Sequence, residues 1–110
     1  SVVEEMLDHL GYDVETVSDC DEVLNVYKEA MKDIPFDLVI LDLLVPGGMG
    51  GKVCMEKLKK IDPGLKALIS TGYSSDPIVS DFGDYGFLGC IRKPYRIREL
   101  SKIILDSLHC

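Results

Sequence analysis

Tryptophan is absent from the 110 residues, and basic side chains are scarce: 12 Lys+Arg stand against 19 Asp+Glu, a formal charge of −7. Polyanions recruit their partners through a basic face, so this balance argues against a stand-alone binder of nucleic acid or anionic membrane. Long hydrophobic runs are lacking as well. The longest is Leu38 to Leu41 with its continuation after Asp42, far short of the roughly 20 apolar residues that cross a bilayer. Residues 1–10 carry Glu4, Glu5 and Asp8 in place of a basic start and an apolar segment, so they do not read as a signal peptide, and a cytoplasmic location is expected.

No CxxC pair occurs. Cys20, Cys54, Cys90 and Cys110 are far apart in a chain whose 46% hydrophobic content can build a core without staples. Reduced thiols acting mostly as small buried hydrophobes are therefore expected, with Cys110 exposed at the end. A glycine-rich phosphate loop is missing too. Pro46 to Gly51 has neither GxGxxG spacing nor a P-loop lysine, which argues against a flavin or nucleotide binder.

What is present is an alternation of helical and strand-like pieces, with no linker or repeat between them. Val3, Met6, Leu7 and Leu10 follow the i, i+3, i+4, i+7 pattern of an amphipathic helix, which Gly11 is placed to cap. Tyr12 to Val17 alternates and is rich in β-formers. Ser18 with Asp21, or Asp19 with Glu22, then offers a capping box for a second helix reaching about Met31. Phe36 to Leu41 is nearly continuous apolar sequence, too short for a helix, and reads as a buried parallel strand with Asp42 at its carboxyl end. A third helix over about Lys52 to Lys60 stops at the Asp62, Pro63, Gly64 turn, and Leu65 to Ser70 is the next buried strand. A short fourth helix over Pro77 to Asp84, a strand over Gly89 to Arg92 and a final amphipathic helix marked by Ile97, Leu100, Ile104 and Leu108 complete the chain.

Strands separated by helices imply right-handed crossovers, hence an α/β fold with a parallel sheet and helices on both faces. In such sheets function collects at the carboxyl ends of the strands. Three residues stand there: Asp42, Thr71 and Lys93, the last followed by Pro94. A carboxylate, a hydroxyl and an ammonium on one rim suit phosphoryl transfer to the carboxylate, because the incoming charge needs neutralising. Taken singly, each has a plainer reading as a turn cap, a β-former or a solvated charge.

Together with their neighbours these residues resemble a family, the receiver domains of two-component response regulators, and in particular those attached to hybrid histidine kinases. The resemblance rests on the strand Leu38 to Leu41 into Asp42, on Pro46 and Gly50, on the run Ile69, Ser70, Thr71, Gly72, Tyr73, and on the triplet Lys93, Pro94, Tyr95. It covers essentially the whole chain, as one domain over residues 1–110. It implies a flavodoxin-like, doubly wound parallel sheet in the order 2-1-3-4-5. By resemblance Asp42 is the phosphoryl acceptor, Thr71 the switch hydroxyl, Lys93 the phosphate contact, and Mg2+ is held by Asp42 and the backbone carbonyl of Leu44. A histidine kinase or a phosphotransfer domain would be the partner, and transfer to its own aspartate the only chemistry.

Two departures follow from the same resemblance. The sequence starts at the first helix, so the central first strand and the acidic pair that holds the metal would precede Ser1. The expectation is thus an N-terminally truncated receiver with four strands and five helices, whose open sheet favours a homo-oligomer. Glu4 and Glu5 sit within a helix and do not replace the pair. In addition, Cys90 stands three residues before Lys93, where the family commonly carries an aromatic residue that reports phosphorylation. The alternative function is a degenerate receiver that binds partners or self-associates without a phosphoryl group.

Overall fold

The computed structural model describes residues 2–44, 50–72 and 76–110. Ser1, Pro46 with most of the loop that follows it, and Tyr73 lie outside the described residues. Gly11 takes a φ of 91°, a conformation that costs other residues strain. Its N–H and that of Tyr12 donate to the carbonyls of Asp8 and Leu7 at 3.0 and 3.1 Å, which closes the first helix, α1 (Val2–His9). At the start of α2 (Cys20–Met31) the Glu22 N–H donates to Asp19 Oδ1 at 2.9 Å, and the Ser18 N–H donates to Glu22 Oε2 at 3.0 Å. Of the two capping pairs available, Asp19 with Glu22 is used.

Three strands follow, β1 (Val39–Asp42), β2 (Ala67–Thr71) and β3 (Gly89–Arg92), hydrogen-bonded in the order β1-β2-β3 with both pairings parallel. Between and after them run α3 (Gly50–Ile61), α4 (Ile78–Asp81) continued by the 3-10 turn Phe82–Tyr85, and α5 (Ile97–Leu108). The apolar residues form two clusters. Cys20 and Tyr27 of α2, Cys54, Met55 and Leu58 of α3, and Ile78 of α4 pack with Leu41 and Ile69 on one face of the sheet. Leu100 and Ile104 of α5, with Val3, Met6 and Leu7 of α1 against them, cover Leu68 and Ile91 on the other. The sheet is therefore doubly wound, as the alternation of elements implies. Each fully buried Leu, Ile or Met contributes about 1.5 to 3 kcal/mol of transfer free energy, so these clusters outweigh any single polar contact.

Several expectations need correction. Residues 12–17 form no strand: Asp13, Glu15, Thr16 and Val17 are exposed and no described strand pairs with the segment. Alternation creates the face of a strand, but only a neighbour's ladder makes it one. The described residues thus hold three strands where four were expected, with five α-helices as expected. The strand read from Phe36 begins at Val39, and it takes in Asp42; likewise β2 ends on Thr71. The thiol expectation also fails in part. Cys20 and Cys54 are joined as a disulfide, with Cα atoms 5.8 Å apart, because the first turn of α2 packs on the buried face of α3; Cys90 and Cys110 are free.

The α3 helix is seated closely on β1. A Cβ on Gly51 would lie 2.6 Å from the Asp42 carbonyl oxygen and 2.8 Å from Ile69 Cδ1, so only glycine lets the helix approach this near. The Gly51 N–H donates to the Leu43 carbonyl at 3.0 Å across the same junction. Beyond the other end of β2 Lys66 donates its ammonium to the carbonyls of Leu108, the last residue of α5, and of Cys110 at 3.1 and 3.3 Å, placing positive charge at the carboxyl end of that helix.

Candidate functional site

In-register neighbours of a parallel pair point to the same face, and Asp42 is registered with Ser70, which is registered in turn with Ile91. All three stand on the α1/α5 face, with Ile40 and Leu68 two residues before Asp42 and Ser70. Thr71 falls on the opposite face with Ile69, and Cys90, registered with Ile69, shares that face as well. The carboxyl edge of the sheet therefore presents a carboxylate and one hydroxyl on one side of its plane and a second hydroxyl, fully buried at 1% exposure, on the other.

Lys93 follows β3 and comes back to this edge. Its backbone N–H donates to the Thr71 carbonyl at 2.9 Å, and its ammonium is ion-paired and hydrogen-bonded to Asp42 Oδ2. The other carboxylate oxygen, Oδ1, accepts the Leu44 N–H at 3.0 Å, a side chain-to-backbone turn that fixes the rotamer of Asp42. The Lys93–Pro94 peptide bond is cis. The hydrogen bond to Asp42 pushes the Lys93 ammonium above its usual lysine value, against a smaller opposing effect of partial burial. Burial pushes the Cys90 thiol up, so at neutral pH it is a protonated, half-buried group rather than a nucleophile.

Of the residues singled out by sequence, Asp42 and Lys93 are brought into direct contact, and Thr71 supplies the carbonyl that anchors the Lys93 backbone. Leu44 lies beside Asp42 through its N–H. One contact was not anticipated: the hydroxyls of Ser70 and Tyr95 share a hydrogen bond. A signal existed, since Ser70 interrupts a run of apolar residues on the face that Asp42 occupies. A buried hydroxyl there needs a partner.

A magnesium ion prefers six oxygens in near-octahedral array, commonly one or two carboxylates with phosphate and water. Here both oxygens of Asp42 are already engaged, and the described residues contain no group of three or more His, Cys, Asp or Glu able to hold a metal. Asp42 and a Leu44 carbonyl do not by themselves make a magnesium site. Among the described residues no helix is long and apolar enough to cross a membrane.

Comparison with known proteins adds independent findings. The family model described as the response regulator receiver domain matches residues 1–105. A probable transcriptional regulator of Guillardia theta is 33% identical over 99 residues, covering 90% of this chain and 37% of the relative, so the chain spans about a third of that protein's length. A response regulator receiver domain from Clostridium thermocellum superposes with a TM-score of 0.87 at 26% identity, covering 98% of this chain and 83% of that one. The receiver domain of a sensor histidine kinase from Pseudomonas aeruginosa, solved with magnesium coordinated in its active-site cleft, shares the fold with a TM-score of 0.84 at 19% identity, over 99% of this chain and 87% of that one.

Proposed function

Since the chain belongs to the response regulator receiver domain family, we propose that it accepts a phosphoryl group on Asp42 from a histidine kinase or a phosphotransfer domain and thereby switches the binding of a partner. The observation that carries this reading is the Lys93 ammonium lodged on the Asp42 carboxylate at the carboxyl edge of the sheet. A carboxylate is a weak nucleophile toward an anionic phosphoryl group, and a fixed cation beside it both offsets the repulsion and meets the charge that builds on the equatorial oxygens. In the transfer an Asp42 oxygen forms the O–P bond as the P–N bond of a phosphohistidine breaks. The bonding pair leaves with the imidazole, and Lys93 passes from the carboxylate to a phosphoryl oxygen. In the same reading Thr71 is the switch hydroxyl, acting from the end of β2 although its side chain lies on the sheet face opposite Asp42.

A magnesium ion, where further oxygen donors complete its shell, would share the same neutralising task. Incubation with magnesium and acetyl phosphate is expected to add one phosphoryl group slowly, labile to base and absent from an Asp42→Asn variant. Intact-mass measurement reads it. Absence of any added mass on the wild-type chain, or its persistence in Asp42→Asn, removes the acceptor role.

Among the described residues no group of three or more His, Cys, Asp or Glu could hold a metal, which favours a second reading, an interaction or self-association module that works without phosphorylation. It differs in a direct way: partner binding or self-association would then be indifferent to Asp42→Asn.

A further inference from the structure

We infer that Ser70 and Tyr95 form a positioning pair that holds the segment 93–95 against the end of β2 and so delivers the Lys93 ammonium to Asp42; the role rests on Asp42 being the phosphoryl acceptor. Ser70 sits between Asp42 and Ile91 in the sheet register, with 1% of its surface exposed. Its side chain stands on the face of Asp42, directly beside it. Tyr95, two residues beyond Lys93, packs its ring on the α1/α5 cluster and turns its hydroxyl to Ser70. Lys93 is thereby bracketed. Its own N–H is tied to the carbonyl of Thr71 at 2.9 Å, and the residue two places on is tied to the side chain of Ser70. Two successive residues of β2 thus hold the loop that carries the cation.

The geometry explains why a flexible side chain arrives at one carboxylate. A lysine has three donors on a four-carbon stem and loses rotamer freedom when it is held, so its contact depends on where its backbone is fixed. Pinning the loop on both sides of Pro94 reduces that loss before the ammonium makes any bond.

The test compares Tyr95→Phe, Ser70→Ala and the double variant by hydrogen exchange of the Lys93 amide, thermal melting and phosphoryl labelling by acetyl phosphate. Each single change leaves one hydroxyl without its partner, whereas the double change removes both, so stability lost in the singles should return in the double. A positioning role predicts a different pattern for Lys93. Its amide should exchange about 2- to 10-fold faster in all three variants, the factor that one hydrogen bond's net worth implies, and labelling should slow by a similar factor in all three. The Leu43 amide, bonded to the Ser70 carbonyl at 2.8 Å, serves as the internal reference and should keep its rate in the double variant. Unchanged Lys93 exchange in the singles, or Lys93 exchange and labelling that recover together with stability in the double, overturns the proposal and leaves the pair a packing contact. Failure of the acceptor reading shows separately, as absence of labelling in the wild-type chain, while Lys93 exchange still reports the pair.

Discussion

Lys93 and Asp42, 51 residues apart in the chain, meet as an ion pair at the carboxyl edge of the sheet, with side chains 43% and 41% exposed. At that exposure water screens the pair, and such contacts contribute about 0 to 1 kcal/mol. Its value is therefore chemical. Lys93→Ala is expected to leave the urea midpoint nearly unchanged while slowing phosphoryl labelling of Asp42 by roughly 10²-fold, the scale for losing one preorganised charge donor. Equal labelling rates in the two proteins would reduce Lys93 to a surface cation. The pH dependence has a definite sign. Because the folded state raises the ammonium's pKa, its small stabilisation is fully present below the ordinary lysine value and is lost as pH rises through the raised one.

Gly51 decides how α3 meets the acceptor strand. With a Cβ placed 2.6 Å from the Asp42 carbonyl oxygen and 2.8 Å from Ile69 Cδ1, one of the two obstacles is backbone and cannot swing aside. Gly51→Ala is therefore expected to cost about 1 to 3 kcal/mol, the range for overpacking, despite alanine's better helix propensity. Chemical denaturation measures this. A variant at or above wild-type stability would show that α3 can shift away from β1 without loss.

How much of this was legible in sequence depends on whether the controlling interaction is local. Asp42 at the end of an apolar run, the Gly11 cap and the strand Gly89–Arg92 each follow from neighbouring residues, and all are where the pattern places them. Tyr12 to Val17 has the pattern of a strand, yet strand identity belongs to a pair, and no described partner lies beside it. The Cys20–Cys54 pairing depends on how α2 docks on α3, which no spacing encodes across 34 residues. Lys93 could be placed at the correct edge, but what holds it there could not, because the Ser70–Tyr95 bond joins two elements through the sheet register.

Tyr27 donates its hydroxyl to Asp62 Oδ2 at 2.7 Å, linking α2 to the turn after α3, where Asp62 Oδ1 also accepts the Gly64 N–H at 3.1 Å. Burial, then the neighbouring carboxylate, pushes the Tyr27 phenol well above its usual value. A raised pKa means that the neutral phenol is favoured by folding. This stabilisation is complete below the ordinary tyrosine value and disappears as pH climbs above it. Tyr27→Phe is expected to cost about 1 to 2 kcal/mol, because the substitution leaves the carboxylate one donor short. It should also flatten the alkaline limb of the stability profile. Ultraviolet titration provides the second check: one tyrosine should resist ionisation until the protein unfolds, and that resistant group should vanish in Tyr27→Phe.

The last prediction concerns the outer edge of β1. Among the described residues β1 is hydrogen-bonded to β2 alone, so its other side offers free N–H and C=O groups along Val39 to Asp42. Protected edges usually carry a lysine, a proline or a bulge, and Val39, Ile40 and Leu41 have none of these. Val39 and Ile40 are only half-buried, which leaves apolar surface beside the unpaired backbone. A second copy of the chain can satisfy both needs at once by pairing strand to strand or by packing on that edge. Light scattering of the 110-residue chain at micromolar concentration should therefore give a dimer or a larger species whose mass falls on dilution. A monodisperse monomer with a single cooperative melting transition would mean that the edge is tolerated or covered within one chain, and self-association through β1 would be abandoned.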